Sequence, residues 1–181
     1  MDSQSLTLDI AFNVNKSRIS TFQEGLCRKF ALGEVLDKRG KNPHLLMEKI
    51  NMGGRLPRGA YLSKEPVAAI FSRALENALL TAGFCPDNKA SDLVLTASVA
   101  RLDHAVMMGF ARCMLQGTLQ VDLALEDVKG QSQIWQGSFA AQAGAGTGDV
   151  VLDVFYALLD GVLEKICNDR GLQKALAAGQ A

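Results

Sequence analysis

The chain has 181 residues, 48 % of them hydrophobic and 21 % charged, which is the composition of a globular protein with enough apolar material for a sizeable core. Nineteen basic residues balance nineteen acidic ones, so the sequence argues against a nucleic-acid binder whose affinity rests on counterion release. No run of 18 or more apolar residues is present, which excludes a membrane-spanning helix within this sequence.

Residues 1–26 are polar and mixed, without the apolar stretch of a signal peptide. Within them Leu6, Leu8, Ile10, Phe12 and Val14 alternate with polar or small residues, the pattern of a half-buried strand. Residues 15–26 read as a loop. Residues 27–36 fit a helix through Phe22, Leu26, Phe30 and Gly33, or a strand ending at Asp37; the strand is preferred.

Residues 38–62 are punctuated by Gly40, Pro43, Gly53, Gly54, Pro57 and Gly59. They carry Lys38, Arg39, Lys41, Lys49, Arg55 and Arg58 against one acid, Glu48. The pattern predicts a long basic loop, either a solvated excursion or a binding segment for an anionic partner. Arg39, Lys41, Arg55 and Arg58 are its candidate contact residues.

Ser63 or Glu65 is positioned to cap a helix that starts at Pro66, where the missing N–H costs nothing. Val67, Ile70, Phe71, Ala74, Leu75, Ala78 and Leu79 mark one apolar face, and Gly83 sits where a C-terminal glycine ends a helix. Leu93, Leu95, Ala97 and Val99 then alternate as a strand. Leu115, Leu119, Val121, Leu123 and Leu125 repeat the pattern, and Trp135, Phe139 and Ala141 continue it beyond a turn at 127–130 in which Gly130 can supply a positive φ. One face of this meander is apolar and must be covered. A second helix follows from Asp149, with Val151, Val154, Phe155, Leu158, Leu159, Val162 and Ile166 as its stripe.

The expected fold class is therefore α+β, a mainly antiparallel sheet with two amphipathic helices on one face and the other face wet. The chain reads as one domain over 1–181, with its core at about 27–168 and a frayed tail at 170–181.

The chemistry-bearing residues do not converge. Gly144-Ala145-Gly146-Thr147-Gly148 precedes a helix, but no lysine follows and Asp149 puts a negative charge where a phosphate would sit. His44 and His104 lack ligand partners at metal-site spacing, and Cys27, Cys85, Cys113 and Cys167 form no zinc or C-x-x-C pattern. They read as free cysteines, or as one disulfide in an oxidising compartment. No catalytic residue, metal ligand or cofactor site is assigned, and the chain is expected not to be an enzyme. The apolar segment 105–110, with Met107, Met108 and Phe110, is either a continuation of the strands or a contact patch for a protein or lipid.

Several stretches together resemble one family. A helix closing on "LENALLTAGF", the strand "ASDLVLTASVARLD", the hairpin "GTLQVDLALEDVKGQSQIWQGSF" and the helix "DVFYALLDGVLEKI" are similar to the YajG-type bacterial lipoproteins and, more loosely, to auxiliary lipoproteins of envelope ABC transporters. "VLDKRG" at Val35–Gly40 resembles the strand and Asp-x-Arg passage before the first helix of such proteins. The resemblance implies a non-enzymatic cell-envelope protein on the periplasmic side, anchored in the outer membrane through a lipidated N-terminal cysteine. It implies envelope protein or lipid partners, and a homo-oligomer through a strand edge is also expected. Cys27 follows Glu24-Gly25-Leu26, which is not a lipidation motif. Either the anchor lies outside this sequence or the protein is not a lipoprotein. A module that binds lipid or a small hydrophobic ligand is the alternative function.

Overall fold

The computed structural model describes residues 5–22, 27–48, 59–89, 92–108, 113–146 and 150–177, with the backbone alone at 106–108 and 113. Among the described residues, seven strands form two sheets and three helices accompany them. The larger sheet contains β2 (Ala31–Asp37), β5 (Leu93–Met108), β6 (Cys113–Asp127) and β7 (Ser132–Ala145), in the order β2-β5-β6-β7. The expected antiparallel meander is β5-β6-β7, with Leu95 facing Leu125 and Leu125 facing Trp135. β2 departs from the expectation by joining the edge in parallel, with Ala31 beside Val94 and Asp37 beside Val99. Helix α1 (Val67–Thr81) lies between β2 and β5 in sequence and supplies the crossover that a parallel pair needs.

The alternation of β5 breaks at Ala100. Val99 pairs with Val121, but Arg101 pairs with Gln120, so one residue bulges and the parity inverts. Leu93, Leu95 and Val99 point inward before the bulge, and Leu102 is buried after it. Arg101 and Asp103 are thereby turned outward and His104 inward.

Both predicted helical stripes are buried as read. In α1, Val67, Ile70, Phe71, Ala74, Leu75, Ala78 and Leu79 all face the core; in α2 (Val151–Cys167), so do Val151, Val154, Phe155, Leu158, Leu159, Val162 and Ile166. Each large aliphatic or aromatic side chain removed from water here contributes about 1.5–3 kcal/mol. α1 packs on β2 and β5, and α2 packs on β6 and β7. The approach of α2 is close because Gly117 lies beneath it: a Cβ there would sit 2.8 Å from Leu158 Cδ1 and 2.9 Å from Val154 Cγ1.

Neither Ser63 nor Glu65 caps α1. The Val67 N–H donates instead to the Pro43 carbonyl, 2.9 Å away, while Ser63 Oγ donates to the His44 and Glu65 carbonyls and Glu65 pairs with Arg73. At the 127–130 turn Asp127 Oδ1 accepts from the Lys129 and Gly130 amides, and the positive φ falls on Gln131 rather than on Gly130.

Residues 38–62 are not one long loop. They contain β3 (Leu45–Glu48) and β4 (Ala60–Ser63), which pair antiparallel, and β4 pairs in parallel with β1 (Leu6–Leu8). Leu46 and Met47 are buried, which is what drives this small sheet onto the rest of the core. From β1 the chain runs along α2. Ala11 N–H donates to the Tyr156 hydroxyl, Asn15 N–H to Asp160 and Ser20 N–H to Asn168. A short 3₁₀ turn at Lys16–Arg18 interrupts the run, and Leu8, Ile10, Phe12, Val14, Ile19 and Phe22 pack on the core. The core therefore reaches well before residue 27.

It also reaches past residue 168. Residues Arg170–Leu176 form α3, not a frayed tail: Asp169 caps it by accepting from the Leu172 amide at 2.7 Å, and Leu172 and Leu176 are fully buried. Two apolar residues four apart present one side to the core, and that burial holds the segment.

Candidate interaction surface

The outer face of the larger sheet carries the polar partners of the buried rows. Glu34, Leu36 and Lys38 from β2 and the residue after it, Ser98 from β5, Asp122 from β6 and Gln136 from β7 line an open, shallow depression of about 400 Å³. Asp122 accepts from Ser138 Oγ at 2.6 Å, and Ser138 Oγ accepts from Gln120, so part of the floor is ordered by cross-strand hydrogen bonds. Leu36 is 50 % exposed in this polar setting. One edge of the sheet is β7, whose backbone groups facing away from β6 have no strand partner among the described residues.

The candidate contact residues differ in their partners. Arg39 is not available to a partner: its side chain is 2 % exposed and lies in a bidentate ion pair with Asp37, Nε to Oδ1 at 2.8 Å and Nη2 to Oδ2 at 2.6 Å. The same guanidinium donates to the carbonyls of Leu45 and Pro43 at 2.7 and 3.0 Å. It thus clamps the end of β2 to the start of β3. Its hydrogen bonds hold the Asp37 carboxyl below the ordinary carboxylate value, against the effect of partial burial.

Lys41 is exposed and pairs with Asp103, which also accepts from Arg101; these bonds, Arg101 first, hold the Asp103 carboxyl below its ordinary value. Met107 and Met108 continue β5, opposite Met114 and Cys113 on β6, so the apolar segment extends the strands at least to residue 108. Arg55, Arg58 and Phe110 lie outside the described residues.

The histidines play separate parts. His44 Nδ1 donates to the Ser63 carbonyl at 3.0 Å, in the tautomer that this contact requires. His104 is turned inward by the bulge; among the described residues neither of its buried ring nitrogens makes a hydrogen bond of full geometry, and the Leu46 main chain offers only a weak polar contact. Around it are Asp103 on its own strand, Lys41, the Leu46 main chain and the apolar Val154 and Leu158 of α2. Desolvation pushes its pKa down, and the opposing pull of Asp103 is smaller. A histidine held neutral in the folded state binds fewer protons than the unfolded chain does below about pH 6.5. Stability is therefore expected to fall as the pH drops through that value and to keep falling until the folded pKa is passed. Melting curves from about pH 8 to about pH 5 should show this loss, and His104→Leu should remove most of it. Parallel profiles for the two proteins would show that another group is responsible.

Among the described residues, no three His, Cys, Asp or Glu side chains gather to hold a metal ion, and no helix is long and apolar enough to cross a membrane. The sequence points to a wet sheet face as a contact surface but not to the depression on it. Its signal was the run of polar residues opposite each buried row, which every half-solvated sheet shares.

No protein-family model matches the chain, and no curated protein matches it by sequence. Solved structures do. A DUF330 protein from Xanthomonas campestris superposes with a TM-score of 0.66 at 13 % identity, covering 94 % of this chain and 97 % of its own. An uncharacterised protein gives 0.54 at 10 % identity over 91 % of this chain and 97 % of its own. A minor lipoprotein from Acinetobacter baumannii gives 0.49 at 12 % identity over 83 % and 97 %. At such identities the likeness to the first two is one of fold: this chain is built as the DUF330 structure is, across nearly the whole length of both.

Proposed function

We propose that the protein is a non-enzymatic component of the bacterial cell envelope, facing the periplasm and lipid-anchored at the outer membrane, which binds other envelope components through the outer face of its larger sheet. The observation that carries this reading is the open, ordered depression on that face beside the β7 edge, which has no second strand partner among the described residues. A broad shallow surface suits a macromolecular contact, and a strand edge offers backbone groups to a second chain, whether a partner or another copy. The sequence resemblance to YajG-type lipoproteins supports the envelope setting.

Leu36 and Gln136 lie on opposite sides of the depression and outside the core, so Leu36→Arg with Gln136→Arg should leave the melting temperature nearly unchanged. Recovery of partners from detergent-solubilised envelopes should fall about tenfold or more, which corresponds to losing one good apolar contact at an interface centre. Full recovery with the double variant would remove the outer face from the proposal.

A second reading, a module for lipid or a small hydrophobic ligand, is favoured by Met114, which is 49 % exposed at the apolar end of the β5–β6 ladder. Flotation with anionic lipid vesicles tests it: binding that is lost in Met114→Asp supports it, and no co-flotation of the wild type ends it.

A further inference from the structure

We propose that Cys27 and Cys85 are an oxidisable pair that forms an intramolecular disulfide, stapling the segment before β2 to the connection between α1 and β5. The two residues are 58 positions apart, yet the Cys85 amide donates to the Cys27 sulfur at 3.2 Å. That places one sulfur against the main chain of the other cysteine, and the two thiols are near enough to act on one another electrostatically; in the proposal a turn of the Cys85 side chain closes the bond.

The backbones are held in place on both sides. Phe30 N–H donates to the Cys85 carbonyl, Asp87 N–H donates to the Phe30 carbonyl, and Phe30 bridges to Pro86. Cys27 itself bridges to Ala177, and Arg28 N–H donates to the Leu176 carbonyl at 2.7 Å. Both thiols are partly exposed, so an oxidant can reach them.

The other two cysteines are poorly placed. Cys167 is fully buried in α2. Cys113 pairs with Met108 at the far end of β5, whereas Cys85 lies near its start at Leu93, roughly 50 Å away along an extended strand of that length.

The reaction is thiol–disulfide exchange with an external disulfide, either a small oxidised thiol or the active-site disulfide of an oxidoreductase. One deprotonated cysteine attacks a sulfur of that disulfide, breaks its S–S bond and releases one thiolate. The second cysteine, deprotonated in turn, attacks the protein sulfur of the mixed disulfide and releases the other thiolate. The two protons leave to solvent and then to the released thiolates, and the two electrons end on the external disulfide, now two thiols. Burial, reinforced by the neighbouring Cys85 thiol, pushes the Cys27 thiol up to about 12. Exchange is accordingly slow, which suits a structural link formed once in an oxidising compartment rather than a fast sensor.

The test uses the full chain equilibrated in glutathione redox buffers, alkylated, digested and mapped by mass spectrometry. Under oxidising conditions the expected product is one linked peptide pair containing Cys27 and Cys85, about 2 Da lighter than the two free peptides, with Cys113 and Cys167 alkylated. The oxidised protein should melt about 5–10 °C higher than the reduced one, because closing so long a loop restricts the unfolded chain. In Cys27→Ser with Cys85→Ser that redox-dependent difference should vanish. Four alkylated thiols, glutathione adducts alone, or a link from Cys27 to Cys113 or Cys167 would overturn the proposal. None of these readouts depends on the function proposed above.

Discussion

Replacing Arg39 by alanine is expected to lower the melting temperature by about 6–20 °C, the equivalent of about 3–5 kcal/mol in a chain of this size. The reason lies in what the substitution leaves behind. Asp37 keeps a charge that only 16 % of its side-chain surface shares with water, and the carbonyls of Pro43 and Leu45 lose their donor. An uncompensated buried charge costs far more than the net worth of the pair that satisfied it. Arg39→Lys should recover only a minor part of the loss, since an ammonium cannot span both Asp37 oxygens and two carbonyls at once.

The acid limb of the stability profile checks the same interaction. The Asp37 pKa is lowered in the folded state. Its contribution is therefore present above the unfolded carboxylate value of about 3.9 and is lost as the pH falls through the folded value. In Arg39→Ala that part of the acid loss should disappear. A melting temperature within about 2 °C of wild type would mean that the clamp is not structural.

Gly83→Ala should cost about 2–5 kcal/mol, about 1–2 from the left-handed backbone and about 1–3 from overpacking, a fall of about 4–20 °C. Gly83 has φ 82°, and a Cβ there would meet the Phe22 carbonyl oxygen at 2.6 Å. Backbone cannot yield as a side-chain tip can, so the segment at Phe22 has to move. Two contacts go with it: the Phe22 N–H bond to the Ala82 carbonyl, at 2.5 Å, and the stack of Phe22 on Phe84, with ring centroids 5.0 Å apart and planes 12° from parallel. Calorimetry reads the loss, and faster hydrogen exchange at the Phe22 amide locates it. Unchanged exchange there, whatever the melting temperature, would show that Gly83 serves only as a helix terminator.

The two substitutions divide what could be read from the chain. Gly83 was legible as a helix terminator, because positive φ after an apolar helical stripe has few other residues to serve it. That it also makes room for the Phe22 carbonyl was not legible, since nothing local relates positions 61 apart. In the sequence Arg39 stands in a basic run that reads as a solvated excursion or a binding segment, with Arg39 a candidate contact residue. Its burial depends on Asp37 and on carbonyls of a strand that the sequence concealed among glycines and prolines. The bulge at Ala100 was hidden for a similar reason: the pattern after Val99 reads through Arg101 and Asp103 without a mark of the extra residue, and only pairing with Gln120 reveals it. Of the candidate contact residues, Lys41 could be named from the sequence as an exposed charge, but not its pairing with Asp103.

Periodicity by itself determined the two helical stripes, the three-stranded meander and the α+β class, because each needs only neighbours within a few residues to decide which side avoids water. The parallel seating of β2, the small second sheet, the inward turn of His104, the α3 anchor and the meeting of Cys27 with Cys85 were decided by tertiary structure alone. Each arises from contacts between segments distant along the chain, whose free energy comes from shared burial and completed hydrogen bonds rather than from any local preference.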